Sequence, residues 1–148
     1  MLSKSDIEII GMLRADGRTK IAKIAKKIKI PLSTLYEKIN NNKGIITKHT
    51  TLVDFRKIGY FEKVFIVIKI SNRDKLPFQL YMLKHFNMNS FYKINNGHDF
   101  MIEAVFEDTR EFEKFREEIE AKFAIKEIKS YNVLDDLCQE VFLTKAFS

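Results

Sequence analysis

The chain has 148 residues, of which 45% are hydrophobic and 31% are charged, and its formal net charge is +6. This apolar content argues against a disordered chain, and no run approaches the roughly 18 apolar residues that span a bilayer. The single cysteine, Cys138, excludes an internal disulfide, and the three scattered histidines lack zinc-site spacing. We expect a cytoplasmic protein without metal or cofactor, in which Cys138 is a buried apolar side chain.

Basic residues are concentrated in the first part of the chain. Residues 1–60 contain 13 Lys and Arg against 5 Asp and Glu, a net charge of +8, whereas residues 61–148 contain 13 against 15, a net charge of −2. Such an asymmetry indicates two domains with different partners. A compact positive surface attracts a polyanion because neutralised phosphates release condensed counterions, so double-stranded nucleic acid is the predicted partner.

Three short helices are predicted in the basic part. Ser5 and Glu8 form a capping box for the first helix, which runs to about Asp16. Thr19 caps the second helix, in which isoleucines and an alanine recur at helical spacing and lysines point to solvent. Pro31 suits the first turn of the third helix, because its missing N–H is not needed there. This part of the chain is therefore a three-helix unit.

The remainder predicts a sheet with two helices. Residues 45–53 are rich in Ile, Thr and Val and indicate a short strand or hairpin arm, followed by a linker. The pattern beyond it is strand, helix, strand, strand, helix, strand, which is the ferredoxin-like order. The turn at residues 95–97 joins the middle strands, and Asp108 caps the second helix. Residues 141–143 fit either one more edge strand or an arm that contacts a partner.

The predicted fold class is α+β, a winged helix-turn-helix followed by a βαββαβ ferredoxin-like (αβ-sandwich) domain. We place the helix-turn-helix in residues 1–46, the hinge strand and linker in residues 47–60, and the ferredoxin-like domain in residues 61–148. In a winged helix-turn-helix the third helix enters the major groove of DNA while the second crosses the phosphate backbone. The sequence therefore assigns the two helices different roles.

The third helix carries the candidate base-contacting residues. At 100° per residue, Leu32, Leu35 and Ile39 share the inward face. The outer face and its flanks present Ser33, Thr34, Tyr36, Glu37, Asn40 and Asn41. Asn pairs with adenine, Glu accepts from cytosine, and Ser or Thr contacts either base edge. A solvent-facing Glu37 and fraying of the helix at its asparagines are the alternative interpretations.

Basic side chains around the second helix are the candidate phosphate contacts. They are Arg18, Lys20, Lys23, Lys26, Lys27, Lys29, Lys38 and Lys48. Phosphate contacts set affinity and register rather than sequence preference. The alternative interpretation is a solvated lysine face without a partner.

Several of these segments resemble one known family. The matching features are an early Asp6, the turn Asp16-Gly17-Arg18, the helix opening Ser33-Thr34-Leu35 and Gly44-Ile45-Ile46 before the hinge. In order and spacing, residues 3–60 resemble the DNA-binding half of the leucine-responsive (Lrp/AsnC) transcription regulators, and residues 61–133 resemble their effector-sensing, dimer-forming domain. The resemblance implies a sequence-specific DNA-binding regulator that forms a homodimer and higher oligomers.

The resemblance also implies an effector site. Family members bind an amino-acid effector between dimers, near the second-domain hairpin, which corresponds here to Asn96, Gly97, His98 and Asp99. The family commonly has glycine where this chain has Asn96, and asparagine tolerates the left-handed backbone that such a turn uses.

Two other functions fit the same outline. The two-domain outline also resembles that of the siroheme decarboxylases, and His98 is the candidate acid or base for such chemistry. No paired catalytic constellation accompanies this histidine, and we expect no enzyme. The third possibility is an assembly partner that has lost DNA binding, which the asparagine-rich end of the third helix allows.

Overall fold

The structure is a computed structural model that describes residues 1–145 and divides into two compact units. The helical unit comprises Met1–Leu52 together with residues 136–145, and the sheet unit comprises Val53–Asp135. This division differs from the predicted one in two places. The predicted hinge is divided, with residues 47–52 in the helical unit and residues 53–60 in the sheet unit, and residues 136–145 belong to the helical unit. None of the helices formed by residues 1–145 is both long and apolar enough to cross a membrane.

Three helices form the first unit. They are α1 (Lys4–Ala15), α2 (Ile21–Ile28) and α3 (Leu32–Asn41). Each is too short to be stable in isolation, so the helices depend on packing against one another. Their shared core consists of Ile9, Met12, Ile24, Ala25 and Leu35.

The cap of α1 lies two residues before the predicted position. The Asp6 N–H donates to the Ser3 hydroxyl at 3.2 Å and the Ser3 N–H donates to the Asp6 carboxylate at 2.9 Å, which completes a capping box. The predicted box of Ser5 and Glu8 is therefore wrong. Thr19 does not cap α2 either, since Lys20 occupies the cap position and makes no side-chain cap bond.

The strand predicted over residues 45–53 is not formed, so the expected wing strand is absent from the described part of the helical unit. A strand needs a neighbour that bonds its N–H and C=O groups. No strand pairing is present within Met1–Leu52 or residues 136–145. The linker instead contains one turn of 3-10 helix at Phe55–Ile58.

The second unit has the predicted ferredoxin-like order. Its elements are β1 (Glu62–Ile70), α4 (Lys75–Leu83), β2 (Met88–Lys93), β3 (Phe100–Phe106), α5 (Thr109–Lys122) and β4 (Ile125–Asn132). The four strands form one sheet in the order β2-β3-β1-β4, and all neighbours are antiparallel. The α+β class, with a helix-turn-helix unit followed by a ferredoxin-like unit, is therefore confirmed.

Alternating burial builds the core of the sheet unit. Every second residue of β1 from Val64 to Ile70 is buried, and so is every second residue of β3 from Phe100 to Phe106. The helices cover this face with Phe78, Met82 and the α5 residues Phe112, Phe115 and Ile119. Burying one such side chain contributes about 1.5–3 kcal/mol, so the face that carries them is strongly specified.

The β2–β3 turn and the α5 cap form where the sequence predicts them. Asn96 (φ 70°) and Gly97 (φ 89°) both have left-handed backbones, as a tight hairpin turn requires. The Glu111 N–H donates to the Asp108 carboxylate at 2.8 Å and caps α5.

The C-terminal segment, defined here as residues 136–145, packs with the helical unit rather than with the sheet. Of the two alternatives for residues 141–143, the edge strand is not formed, since residues 142–145 are a turn. Cys138 is exposed, so the expectation of a buried thiol is wrong. Arg14 anchors the segment, because its Nη2 lies 3.0 Å from Glu140 Oε2 and its Nε donates to the Phe142 carbonyl at 2.9 Å.

Candidate nucleic-acid interface

A tight connection sets α3 against α2. Lys29 adopts a left-handed backbone (φ 58°) directly after α2, and the Ile30 N–H donates to the Ala25 carbonyl at 3.1 Å. Bonds of this type end helices by satisfying their last carbonyl groups. Ile24 and Leu35, both without solvent exposure, lock the two helices together. The result is a helix-turn-helix in which α3 holds the position predicted for the recognition helix.

Most predicted base-contacting residues lie on the exposed face of α3. Ser33, Glu37, Asn40 and Asn41 are exposed and Tyr36 is 52% exposed, while Thr34 is half-buried. Leu35 faces the core, as predicted. Leu32 does not, since 45% of it is exposed at the first turn of the helix. The exposed face can therefore meet a DNA groove without unpacking the unit.

The predicted phosphate contacts around α2 are all exposed. They are Arg18, Lys20, Lys23, Lys26, Lys27, Lys29 and Lys48. All of these lysines except Lys48 lie on α2 or directly beside it, and α2 packs against α3. No acidic residue lies in α2, so all of its charged side chains are positive.

Lys38 departs from the predicted pattern. Its ammonium lies 3.3 Å from Asp6 Oδ1 and 3.4 Å from the Ser3 hydroxyl, and only 27% of its side chain is exposed. The structure thus directs Lys38 toward the first turn of α1 rather than outward. Sequence spacing placed it on the flank of α3, but only the packing of α1 beside α3 shows that a carboxylate is within its reach.

Asp6 gives this contact a pH dependence. The hydrogen bond from the Ser3 side chain, then the Ser3 backbone N–H and Lys38, lower the pKa of Asp6 from 3.8 to about 2. Because the folded pKa is below the unfolded one, the stabilisation is complete above about pH 4 and is lost as the pH falls through 2.

We expect the melting temperature of the helical unit to fall between pH 5 and pH 2 more steeply in the native chain than in Asp6→Asn. The reason is that only the native chain must protonate this carboxylate on acidification. Circular dichroism melts across the range measure the difference, and an NMR titration of the Asp6 carboxyl group tests its cause. A midpoint near 3.8 in the folded protein would contradict the assignment.

Two predicted phosphate contacts share an open groove with residues that sequence analysis did not select. This Arg14 groove has a volume of about 780 Å³ and lies between the end of α1, the following turn and residues 46–52. Its charged and titratable lining residues are Arg14, Asp16, Arg18, Lys48, His49 and Glu140. No local pattern links Glu140 to Arg14, because 126 positions separate them.

The predicted effector residues lie at the β2–β3 turn but have unequal environments. Asn96 and Gly97 are exposed, whereas Asp99 accepts from the Ile70 N–H at 2.8 Å and from Lys75 Nζ at 3.1 Å. The Ile70 hydrogen bond, with a smaller contribution from Lys75, holds the pKa of Asp99 below its ordinary value. Asp99 is therefore committed to internal contacts that hold the turn against β1.

His98, the candidate acid or base, is half-buried. Its Nε2 lies 3.4 Å from Glu127 Oε2, within ion-pair range but without hydrogen-bond geometry. One such pair does not make a catalytic constellation, which needs a base within reach of a reacting group and a residue that orients it. Within residues 1–145, no three metal-ligating side chains cluster together.

Comparisons with known proteins extend over nearly the whole chain. No family model matches it. It is 23% identical over 137 residues to an uncharacterized HTH-type transcriptional regulator of Pyrococcus abyssi, covering 91% of this chain and 93% of that protein. The structure superposes on a transcriptional regulator of Neisseria meningitidis, solved as an L-Met complex, with a TM-score of 0.86, 19% identity and 94% coverage of both chains. B. subtilis LrpC gives a TM-score of 0.84 with 22% identity, covering 93% of this chain and 98% of that one.

The two units define a helix-turn-helix protein with a ferredoxin-like second unit. Within that class the chain is similar in sequence to HTH-type transcriptional regulators and in fold to Lrp/AsnC transcription regulators. The resemblance inferred from the sequence is thereby confirmed.

Proposed function

We propose that the protein is a sequence-specific DNA-binding transcription regulator of Lrp/AsnC type and not an enzyme. One observation carries the proposal: the net positive charge of the chain is concentrated in the unit that exposes a recognition helix. Polyanion binding requires such a surface, whereas decarboxylation does not. The similarity to HTH-type regulators over most of the chain supports the same function.

Affinity and selectivity come from different helices in this proposal. Lys20, Lys23 and Lys26 beside and on α2 neutralise backbone phosphates, which fixes register but carries no sequence information. Ser33 and Glu37 on the exposed face of α3 contact base edges, and the nearby asparagines add adenine contacts. Because α3 carries few positive charges, we expect the affinity for DNA to depend strongly on salt and on the pairing of two protein copies.

The working form is proposed to be a homodimer or a higher oligomer of dimers. Two copies related by a two-fold axis place their recognition helices about one helical turn apart and bind a pseudo-palindromic site. Part of the sheet face opposite the helices is apolar, with Phe65, Val67 and Met101 half-buried and Tyr92 and Tyr131 exposed. In the proposed dimer, two copies associate by burying this face of the sheet between them.

The proposed effector is an amino acid, since the Neisseria regulator was solved with L-Met. Asn96, Gly97 and His98 are the proposed ligand contacts, and Asp99 shapes the turn that presents them. An exposed turn with left-handed backbone at two positions offers its N–H groups to a carboxylate, which suits an amino acid.

Selection of genomic fragments by the purified protein, at stated salt, tests the function. We expect enrichment of duplexes that contain two half-sites spaced by about 10 base pairs, with binding that weakens as salt rises. Repeating the selection with each of the twenty amino acids tests effector control. Siroheme added to the same preparation should give no spectral shift. A spectral shift combined with no DNA enrichment would contradict the proposal and favour the enzyme.

A further inference from the structure

The C-terminal segment brings a carboxylate into a basic part of the helical unit. The segment, residues 136–145, contains one lysine, Lys145, and two carboxylates, those of Asp136 and Glu140. One of them, Glu140, forms the ion pair with Arg14 at 3.0 Å, and the Phe142 carbonyl accepts from the same guanidinium at 2.9 Å. Both contacts use donor groups that would otherwise be available to an external anion.

The groove around this contact has the chemistry of a phosphate site. Arg14, Arg18, Lys48 and His49 line it together with two carboxylates, those of Asp16 and Glu140, and Asp16 accepts from the Arg18 N–H at 2.9 Å. A guanidinium matches the geometry of phosphate as well as that of carboxylate, and it makes paired hydrogen bonds to either. Arg18 and Lys48 are already proposed phosphate contacts, and the groove joins them to Arg14. Its three cationic side chains outnumber its two carboxylates, and one of these, Glu140, comes from the C-terminal segment.

We propose that the Arg14 groove binds a backbone phosphate of duplex DNA and that Glu140 competes with this phosphate in the free protein. The inference rests on the proposed DNA-binding function and adds its regulation. Binding of DNA displaces Glu140 from Arg14, and the C-terminal segment then leaves the groove. The C-terminal segment therefore lowers the DNA affinity of every protein copy in which it occupies the Arg14 groove.

The backbone of the segment fits a displaceable contact. Glu140 (φ 53°) and Leu143 (φ 71°) both adopt the left-handed conformation that residues other than glycine rarely adopt. Contacts with the surrounding residues hold each backbone in this unfavourable conformation. Release of the segment from the groove lets both residues return to a favourable one. The Glu140 side chain is 64% exposed, so the ion pair that retains it is a weak surface pair. A polyanion carrying many phosphates can replace it.

A double-mutant cycle tests the competition. Binding of the full chain to a fluorescent 30-base-pair duplex is measured by anisotropy at low salt for the native protein, Glu140→Gln, Arg14→Ala and the double variant. We expect Glu140→Gln to bind about three- to fivefold more tightly, the size of effect that an exposed ion pair represents. Arg14→Ala should bind the duplex more weakly than the native chain. In the Arg14→Ala variant, the additional change Glu140→Gln should leave the affinity unchanged.

Asp135→Asn is the matched control, because it removes the same charge from a neighbouring exposed position. Equal binding by Glu140→Gln and Asp135→Asn would overturn the competition, and so would a gain that persists without Arg14. Weakened binding of Glu140→Ala, with its fold intact by circular dichroism, would show that the segment supports binding instead. If neither the native chain nor Glu140→Gln binds the duplex, the proposed function itself fails.

Discussion

Replacing Lys20, Lys23 and Lys26 with alanine should weaken binding to every duplex, whatever its sequence, and should flatten the dependence of affinity on salt. Each lost phosphate contact removes about 0.9 from the slope of log affinity against log salt, so the triple variant should lose close to 3 units. At low salt this corresponds to a loss of affinity of at least tenfold. Anisotropy titrations over a series of KCl concentrations measure both quantities.

The matched control for this variant removes three lysines from the sheet unit. Lys84, Lys93 and Lys114 are exposed there, so their replacement changes the net charge of the chain by the same amount. We expect the control to keep the native slope, because bound phosphates release counterions only where they are contacted. If the Lys20, Lys23 and Lys26 variant kept the native salt slope, these side chains would not contact phosphates, even if other residues bind DNA.

Replacing Leu35 with alanine should unfold the helical unit and abolish DNA binding while the sheet unit stays folded. Leu35 has no solvent exposure and packs in a core of only five buried residues. A Leu→Ala change in a core costs about 2–5 kcal/mol, and units near 60 residues have little stability to spare. Amide NMR spectra should show loss of dispersion only for residues of the helical unit.

Leu32→Ala on the same helix is the control for this prediction. It deletes the same atoms from a side chain that is 45% exposed, so we expect a stability change of less than about 1 kcal/mol. Simultaneous loss of the sheet signals in Leu35→Ala would mean that the two units unfold together. Retention of a folded helical unit would mean that α3 is held by contacts other than its core leucine.

Local signals in the sequence were sufficient to predict most of the elements of the sheet unit. The apolar run Val64–Ile70 indicates a strand buried on at least one face, the Asn96-Gly97 pair marks a hairpin turn, and Asp108 marks the start of α5. Each of these features depends on residues within a few positions of one another. The outer face of α3 was predictable for the same reason, because helical geometry alone places its exposed residues together.

Contacts between distant residues explain the errors. Ser3 and Ser5 are comparable helix caps in sequence, and the structure selects Ser3, with Lys38 of α3 beside it. Residues 45–53 have the composition of a strand, but composition does not provide the neighbouring strand that pairing requires. The strand was therefore predicted without knowledge of its partner.

The sequence by itself determined the class of fold, the separation of positive charge and the exposed face of the recognition helix, because these follow from spacing and composition along short stretches. Tertiary structure alone decided that Lys38 turns toward Asp6, that Asp99 is bound to Ile70, and that Glu140 reaches Arg14. The physical reason is the same in each case. The strength and direction of a polar contact depend on which partner the fold brings within about 3 Å, and that partner lies far away along the chain.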